Sequence, residues 1–222
     1  MFNLHKTLLP VIGLSLATIG SCIIPSQAQA LIKFNKEYDF STSTTPIPEK
    51  NLLVGPGEGV TTGADFNLNS FESLVYSDLA EAINAIATGG TFKYDSNPLN
   101  VGVTDELEGG ITFFGEDADK IFGSLVGIDI VDPLNLTAKT IADIVIKGGA
   151  GRFQNVTGAG TVVGIVGSDP NVAINPGRLT VNLSFDVPKS IPENTNSVGI
   201  AFAALCAGVM LKKAYRVKQV VK

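Results

Sequence analysis

Carboxylates are the most chemically capable side chains that this sequence sets close together. Asp105, Glu106 and Glu108 form one group, and Glu116, Asp117 and Asp119 form another. Oxygen donors crowded into a loop are what a Ca²⁺ ion takes, although neither group has the ligand order of an EF-hand or of a glycine-rich calcium repeat. Solvated loop charge is the simpler reading of both. A carboxylate pair about 5 to 9 Å apart could also hydrolyse glycosides, but the chain has no Trp from which to build a sugar-stacking platform. Composition removes other chemistries. The one His is His5 and the two cysteines are Cys22 and Cys206, so residues 31–197 hold neither type. A His-dependent triad, a zinc centre and a structural disulfide are thereby excluded for that stretch. The expectation is a body with no catalytic residue, no cofactor site and no metal site.

The densest run of special backbone is Gly148-Gly149-Ala150-Gly151-Arg152-Phe153-Gln154-Asn155-Val156-Thr157-Gly158-Ala159-Gly160-Thr161. A phosphate cradle needs a glycine loop that opens a helix, with a Lys after the last Gly or a G-x-G-x-x-G order. This run has neither, and a strand follows it. It reads instead as a hairpin. Gly148, Gly149 and Gly151 supply a tight turn, Phe153 anchors it in a core, and Gly158 and Gly160 hinge the chain into the next strand. Arg152 either pairs with an acidic neighbour or lies solvated.

The elements around these residues are mostly strands. Leu31 to Phe40 places Ile32, Phe34, Tyr38 and Phe40 on even positions, the alternation of a half-buried strand. Gly55 to Gly59 reads as a loop and Val60 to Leu68 as a weak strand. Ser73 to Thr88 predicts the one helix, with Leu79, Ile83 and Ile86 on one face, acceptors at Ser77, Asp78 and Glu81 near its start, and Gly89-Gly90 to stop it. Six further runs rich in Val, Ile, Thr and Phe follow: Thr91 to Tyr94, Gly110 to Phe114, Lys120 to Val131, Ala138 to Lys147, Gly158 to Val166 and Leu179 to Val187. Turn residues separate them, among them Asn97-Pro98, Asp132-Pro133 and Asn175-Pro176-Gly177. Such spacing predicts a mainly β fold, a single antiparallel β-barrel or sandwich with one packing helix. A closed barrel would hide the strand edges that an exported monomer must protect.

The two ends are written differently. His5 and Lys6 precede an apolar run, Leu8 to Ile24, which ends in Ala28-Gln29-Ala30. Small residues at Ala28 and Ala30 fit the pocket of a signal peptidase, so residues 1–30 read as a Sec signal peptide cut before Leu31. Two alternatives stay open: an uncleaved membrane helix, and a lipoprotein signal cut at Cys22. At the other end, polar residues 190–197 lead into Val198 to Leu211, an apolar stretch of 14 residues, followed by Lys212, Lys213, Arg216, Lys218 and Lys222. At about 1.5 Å per residue that stretch covers roughly 21 Å, short of a hydrocarbon core of about 30 Å unless flanking lysines snorkel. Cations confined to the far side predict a cytoplasmic tail and a body outside. Between the ends, residues 31–197 hold 21 Asp and Glu against 10 Lys and Arg, a net charge of −11. A body so acidic is repelled by phosphate backbones, which excludes nucleic acid as a partner.

Pro192-Glu193-Asn194, the short Ala- and Gly-rich apolar stretch and the basic tail together resemble the PEP-CTERM sorting signal of exopolysaccharide-producing bacteria. Asn194 stands where that motif has a second Pro. The resemblance spans about the last 32 residues and implies processing by an exosortase-like enzyme, membrane association through a C-terminal hydrophobic helix, and exopolysaccharide as a neighbour of the mature protein. An ordinary membrane anchor and a buried core helix are the other readings of the same stretch. The glycine run resembles a hairpin of exported bacterial proteins whose small β-barrel is related to allene oxide cyclase and dirigent proteins. That second resemblance implies a barrel over roughly residues 91–187 and little about function. The resulting expectation has three parts: signal peptide 1–30, β-rich exported domain 31–189, and sorting or anchor segment 190–222. The leading function is a non-enzymatic cell-envelope or extracellular matrix protein. The alternatives are a ligand-binding barrel at the cell surface and, by the family analogy alone, a cyclase or isomerase. A void left among the inward residues would favour binding, and a filled interior would favour a structural role.

Overall fold

The computed structural model describes residues 31–187. Ala28, Ala30, Cys22, Pro192, Glu193, Asn194 and the apolar stretch 198–211 lie outside the described residues. Ten strands and one helix follow in chain order: β1 (Leu31–Thr42), β2 (Thr45–Ile47), β3 (Leu52–Val60), β4 (Ser70–Asp78), α1 (Leu79–Thr88), β5 (Gly90–Asp95), β6 (Gly110–Phe114), β7 (Lys120–Asp132), β8 (Thr137–Ala150), β9 (Thr157–Gly167) and β10 (Asn175–Asp186).

Every strand pair is antiparallel, and the sheet closes on itself. β1 joins β10 along its full length, from Leu31 opposite Asp186 to Thr42 opposite Asn175. β10, β9, β8 and β7 then run as successive hairpins. β5 pairs with residues 126–131 of β7 and β6 with residues 120–123, so these two short strands share one place in the ring. β4 and β3 complete the circuit back to β1. The result is a closed eight-stranded barrel, with β2 an outlying strip on β3. Closure satisfies the backbone of β1 and β10, the first and last described strands, whose edges would otherwise be templates for aggregation.

Alternation sorts the interior. Phe34 and Tyr38 of β1, Ile121 and Leu125 of β7, Ala138 to Ile146 on even positions of β8, and Leu179 to Phe185 on odd positions of β10 point inward and are buried. One end of the barrel is plugged. The loop 61–69 folds across it, Leu68 is fully buried, and the rings of Phe66, Phe153 and Phe185 meet edge to face with centroids 5.9 to 6.2 Å apart. Tyr38 reinforces the plug by donating its hydroxyl to the Leu68 carbonyl at 2.5 Å. A separate cluster lies outside the barrel wall, where the segment after β5 covers Leu52 and Tyr76 with Val103.

Four boundaries differ from the sequence reading. Ser73 to Asp78 belong to β4, and the helix starts only at Leu79, because Ser70–Asp78 pair with β3 and Asp78 caps the helix by accepting from the Glu81 N–H at 2.9 Å. Gly55 to Gly59 are strand, not loop. At Gly57 and Gly59 the missing side chains leave room for the rings of Phe40 and Phe71 inside the barrel. Val60 to Leu68 is the plugging loop after Val60, bent by left-handed backbone at Gly63, Phe66 and Asn67. Asn175 to Gly177 open β10 and do not form a turn.

The glycine run occupies the plugged end. Gly148 and Gly149 extend β8 to Ala150, and the turn itself falls at Gly151 to Phe153. Gly151 has φ +63, and a side chain there would collide with the Asp119 carboxyl. Gly158 and Gly160 sit in β9, which starts one residue earlier, at Thr157. Phe153 is buried as expected, and Arg152 is paired: its backbone N–H donates to Asp119 Oδ1 at 2.7 Å, its Nε to Oδ2 at 2.5 Å, and its guanidinium to the Phe66 carbonyl at 3.1 Å. One arginine thus ties the β8–β9 turn, the β6–β7 loop and the plugging loop together. These bonds, the backbone donor first, hold the Asp119 carboxyl below its ordinary range. Arg152→Ala is therefore expected to lower the melting temperature by several degrees and Arg152→Lys to restore only part of it, because a lysine cannot make the forked contact; thermal denaturation followed by circular dichroism checks both. The Asp119 contribution is present above its unfolded pKa and is lost as the pH falls through its lowered folded value.

Candidate functional site

The opposite end of the barrel is open and hollow. A cavity of about 350 Å³ lies between the aromatic plug and the mouth. Phe71, Ile111, Leu125, Ala142, Val162 and Leu179 line its inner part, and Phe40, Leu53, Val75 and Phe92 line its upper wall. Such a volume sits at the lower end of the range of about 300 to 1,000 Å³ for small-molecule pockets. Eight strands leave an interior that side chains either fill or share with one small ligand. Here the aromatic residues fill one half and small residues such as Ala138 and Ala142 leave the other half empty.

The helix partly roofs the mouth. Leu79, Ala82 and Ala85 are buried against Leu53, Phe92, Val131 and Ala138, while Ile83 and Ile86 turn toward the opening. The apolar face is therefore rotated from the one that Leu79, Ile83 and Ile86 alone suggested. Asn51 fixes the helix start: its Oδ1 accepts from the Ala80 N–H at 3.1 Å and its Nδ2 donates to Asp78 at 2.7 Å. Across the mouth, Ser168, Asp169 and Pro170 of the β9–β10 loop form the facing rim.

Besides Asp169 on the rim, one carboxylate lines this apolar chamber among the described residues. Asp129 occupies the inward phase of β7, in line with Leu125 and Val131, directly opposite Phe92 on β5 and Thr140 on β8. The exposure it retains faces the barrel interior, since its neighbours in sequence, Ile128 and Ile130, take the outward positions. Its Oδ1 is sealed from solvent and has no hydrogen-bond partner among the described residues. Burial raises its pKa to about 6, and the polar Thr140 hydroxyl beside it offsets part of that rise. The Thr140 hydroxyl also pairs with the Tyr94 hydroxyl at 2.6 Å. Burial pushes the Tyr94 phenol well up, with the Asp129 charge adding to it. Ser168 Oγ is the second buried side-chain atom without a partner, and it lines the same cavity. Buried polar atoms are almost always paired, so two orphans on residues that line one void are a local departure from good packing.

The residues singled out from sequence lie elsewhere. Gly148, Gly149, Gly151, Arg152, Phe153, Gly158 and Gly160 build the plugged end and do not line the cavity. The acidic loops are engaged by bases: Lys50 Nζ lies 2.9 Å from Asp105 and 2.5 Å from Glu106, Lys147 bonds Glu108, and Arg152 takes Asp119. Among the described residues these carboxylates form no group of three that could hold a metal ion. Asp129, Tyr94, Thr140 and Ser168 were missed. The usable signal was one acid on the inward phase of an otherwise apolar strand, Ile121-x-Gly123-x-Leu125-x-Gly127-x-Asp129-x-Val131.

Fold and cavity together define a closed antiparallel β-barrel with a single-mouthed apolar chamber and an internal carboxyl. No family model matches the chain, and no curated protein matches it.

A carboxyl whose pKa is higher folded than unfolded destabilises the fold once it must ionise. The folded state binds the proton more tightly, so stability falls as the pH rises from about 4 to about 6 and is flat above. Asp129→Asn should therefore stabilise the protein by roughly 1 to 3 kcal/mol at pH 7.5 and by almost nothing at pH 3.5. Urea denaturation of both forms at the two pH values measures the difference.

Proposed function

We propose that the chain is an exported cell-envelope protein whose barrel holds a small, mainly apolar molecule and carries out no chemistry on it. The observation that carries this reading is the empty half-barrel whose lining includes Asp129 and Ser168, each carrying a buried polar atom without a partner among the described residues. A purely structural barrel gains nothing from either feature, since a filled interior packs better. A binding barrel needs both, the void for the body of the ligand and polar groups to orient it.

Export is supported by the Ala28-Gln29-Ala30 site, the apolar stretch 198–211 with its basic tail, and the strongly acidic body between them. Its machinery would be the Sec pathway and a signal peptidase, with an exosortase-like enzyme acting near Pro192-Glu193-Asn194. Exopolysaccharide is the expected surrounding. The barrel geometry is compatible with tethering: Leu31 and Asp186 pair at the plugged end, and the cavity-lining Thr42 and Asn175 lie on the order of 35 Å of strand away. A tether at either terminus would leave the mouth free.

Two measurements test the reading. Native mass spectrometry of the protein isolated from its host envelope should show a mature start at Leu31, loss of the residues after about Glu193, and a bound small molecule released on denaturation. A chain bearing lipid on Cys22, or one intact to Lys222, would replace the sorting-signal part. The second uses Ala142→Phe, which places a ring in the chamber. It should retain the β-sheet circular dichroism spectrum yet lose at least about tenfold in affinity for apolar probes such as n-octanol, at a stability cost of about 1 to 3 kcal/mol. Unchanged probe binding would remove the chamber as the site.

A further inference from the structure

The chamber's charge pattern says what kind of head group its occupant carries. Among the described residues, Asp129 and Asp169 are the only carboxylates that line the cavity, and no Lys or Arg lines it. Tyr94 is the one other titratable group, and its phenol stays neutral because burial pushes its pKa upward. Asp129 has no ion pair among the described residues, which carry 20 Asp and Glu against nine Lys and Arg. The interior is thus a low-dielectric chamber whose fixed charges are all negative, inside an acidic protein.

From this geometry we infer that the barrel binds an amphipathic amine, with the protonated nitrogen against the Asp129 carboxyl and the hydrocarbon body in the chamber below α1. This rests on the chamber being a binding site. Three physical points select an amine over other heads. The ionised Asp129 carboxylate, on a residue that keeps part of its exposure, can only accept, so the ligand must donate. A cation relieves the burial cost of an ionised carboxyl, which a neutral alcohol relieves only in part. A carboxylate-headed lipid meets like charge and no base. The lining also suits the assignment, since Phe92 lies directly opposite Asp129 across the β5–β7 pair and Phe40 and Tyr94 share the chamber. An ammonium at the carboxyl therefore has aromatic rings close by. The raised pKa of Asp129 gives the interaction a pH window: above about 6 the carboxyl is ionised and holds the cation, and below it the protonated acid does not.

The test is calorimetric titration of the protein, as the cell exports it and after removal of bound lipid, with n-octylamine, n-octanol and n-octanoate at pH 7.5 and pH 5.0. The amine should bind at least about tenfold more tightly than the alcohol at pH 7.5, where a buried ion pair adds to shared apolar burial. The octanoate should bind most weakly. At pH 5.0 the amine should lose about tenfold, because one pH unit below the Asp129 pKa leaves about a tenth of the carboxyl ionised while an alkyl ammonium stays charged. Asp129→Asn should erase the preference of amine over alcohol and leave octanol affinity within about threefold. Equal binding of amine and alcohol, or amine binding indifferent to pH, overturns the head-group assignment while the chamber remains a binding site. Binding of none of the three overturns the binding reading with it. Should the Asn variant not fold, the pH series on the unaltered protein decides the same question.

Discussion

The pairing of the first strand with the last is the constraint from which the rest of this structure follows. β1 and β10 are separated by more than a hundred residues, yet twelve of their positions align from Leu31 to Thr42. That alignment turns an open meander into a ring. In an open sheet the inward faces of β1 and β10 would need a second layer to cover them; in a ring each inward face covers the others. Closing so long a loop costs entropy, but the cost grows only slowly with loop length, and the ladder formed at closure offsets it. The barrel cavity, the plug and the placement of both ends of the described chain at one pole are consequences of this one junction.

A ring of eight strands has a fixed width, so its contents decide what it is for. Large residues crowd one pole: Tyr38, Phe71 and Phe113 in the middle, then Phe66, Phe153 and Phe185 at the end. Arg152 locks that pole by holding Asp119 and the Phe66 carbonyl together. Toward the other pole the inward residues shrink to Ala138, Thr140 and Ala142 on β8, and space opens beneath α1. The barrel is thus packed at one end and hollow at the other. Asp129 belongs to the second pole, and a buried, partly unsatisfied carboxyl there opposes folding once it ionises.

Much of the architecture could be read from the chain. Period-two alternation at Phe34 and Tyr38, the β-branched runs from Lys120 to Val131 and Ala138 to Lys147, and the intervening turn residues are local signals, because side-chain direction along a strand depends only on sequence parity. The single helix and its stop at Gly89 were legible for the same reason, although not its start. Ser73 to Asp78 carry helix-compatible residues, and only their pairing with β3 and β6 makes them a strand. Gly57 and Gly59 read as loop because nothing nearby in sequence announces that Phe40 and Phe71 will lie over them. The Phe153 anchor and the choice between a paired and a solvated Arg152 are legible in the sequence, while the partner, Asp119, lies 33 residues away and has no local signal.

By itself the sequence determined the class of fold, the mainly antiparallel strands with one helix, the absence of His and Cys chemistry in residues 31–197, and the acidity of that stretch. These are properties of composition and parity, which need no partner. Tertiary structure alone decided that the sheet closes, that Asp105, Glu106 and Glu108 answer to lysines, and that Asp129 shares a chamber with Tyr94, Thr140 and Ser168. Those facts depend on residues brought together across dozens of positions, and the side chains that meet in a closed barrel are chosen by strand register and ring width, neither of which any local segment encodes.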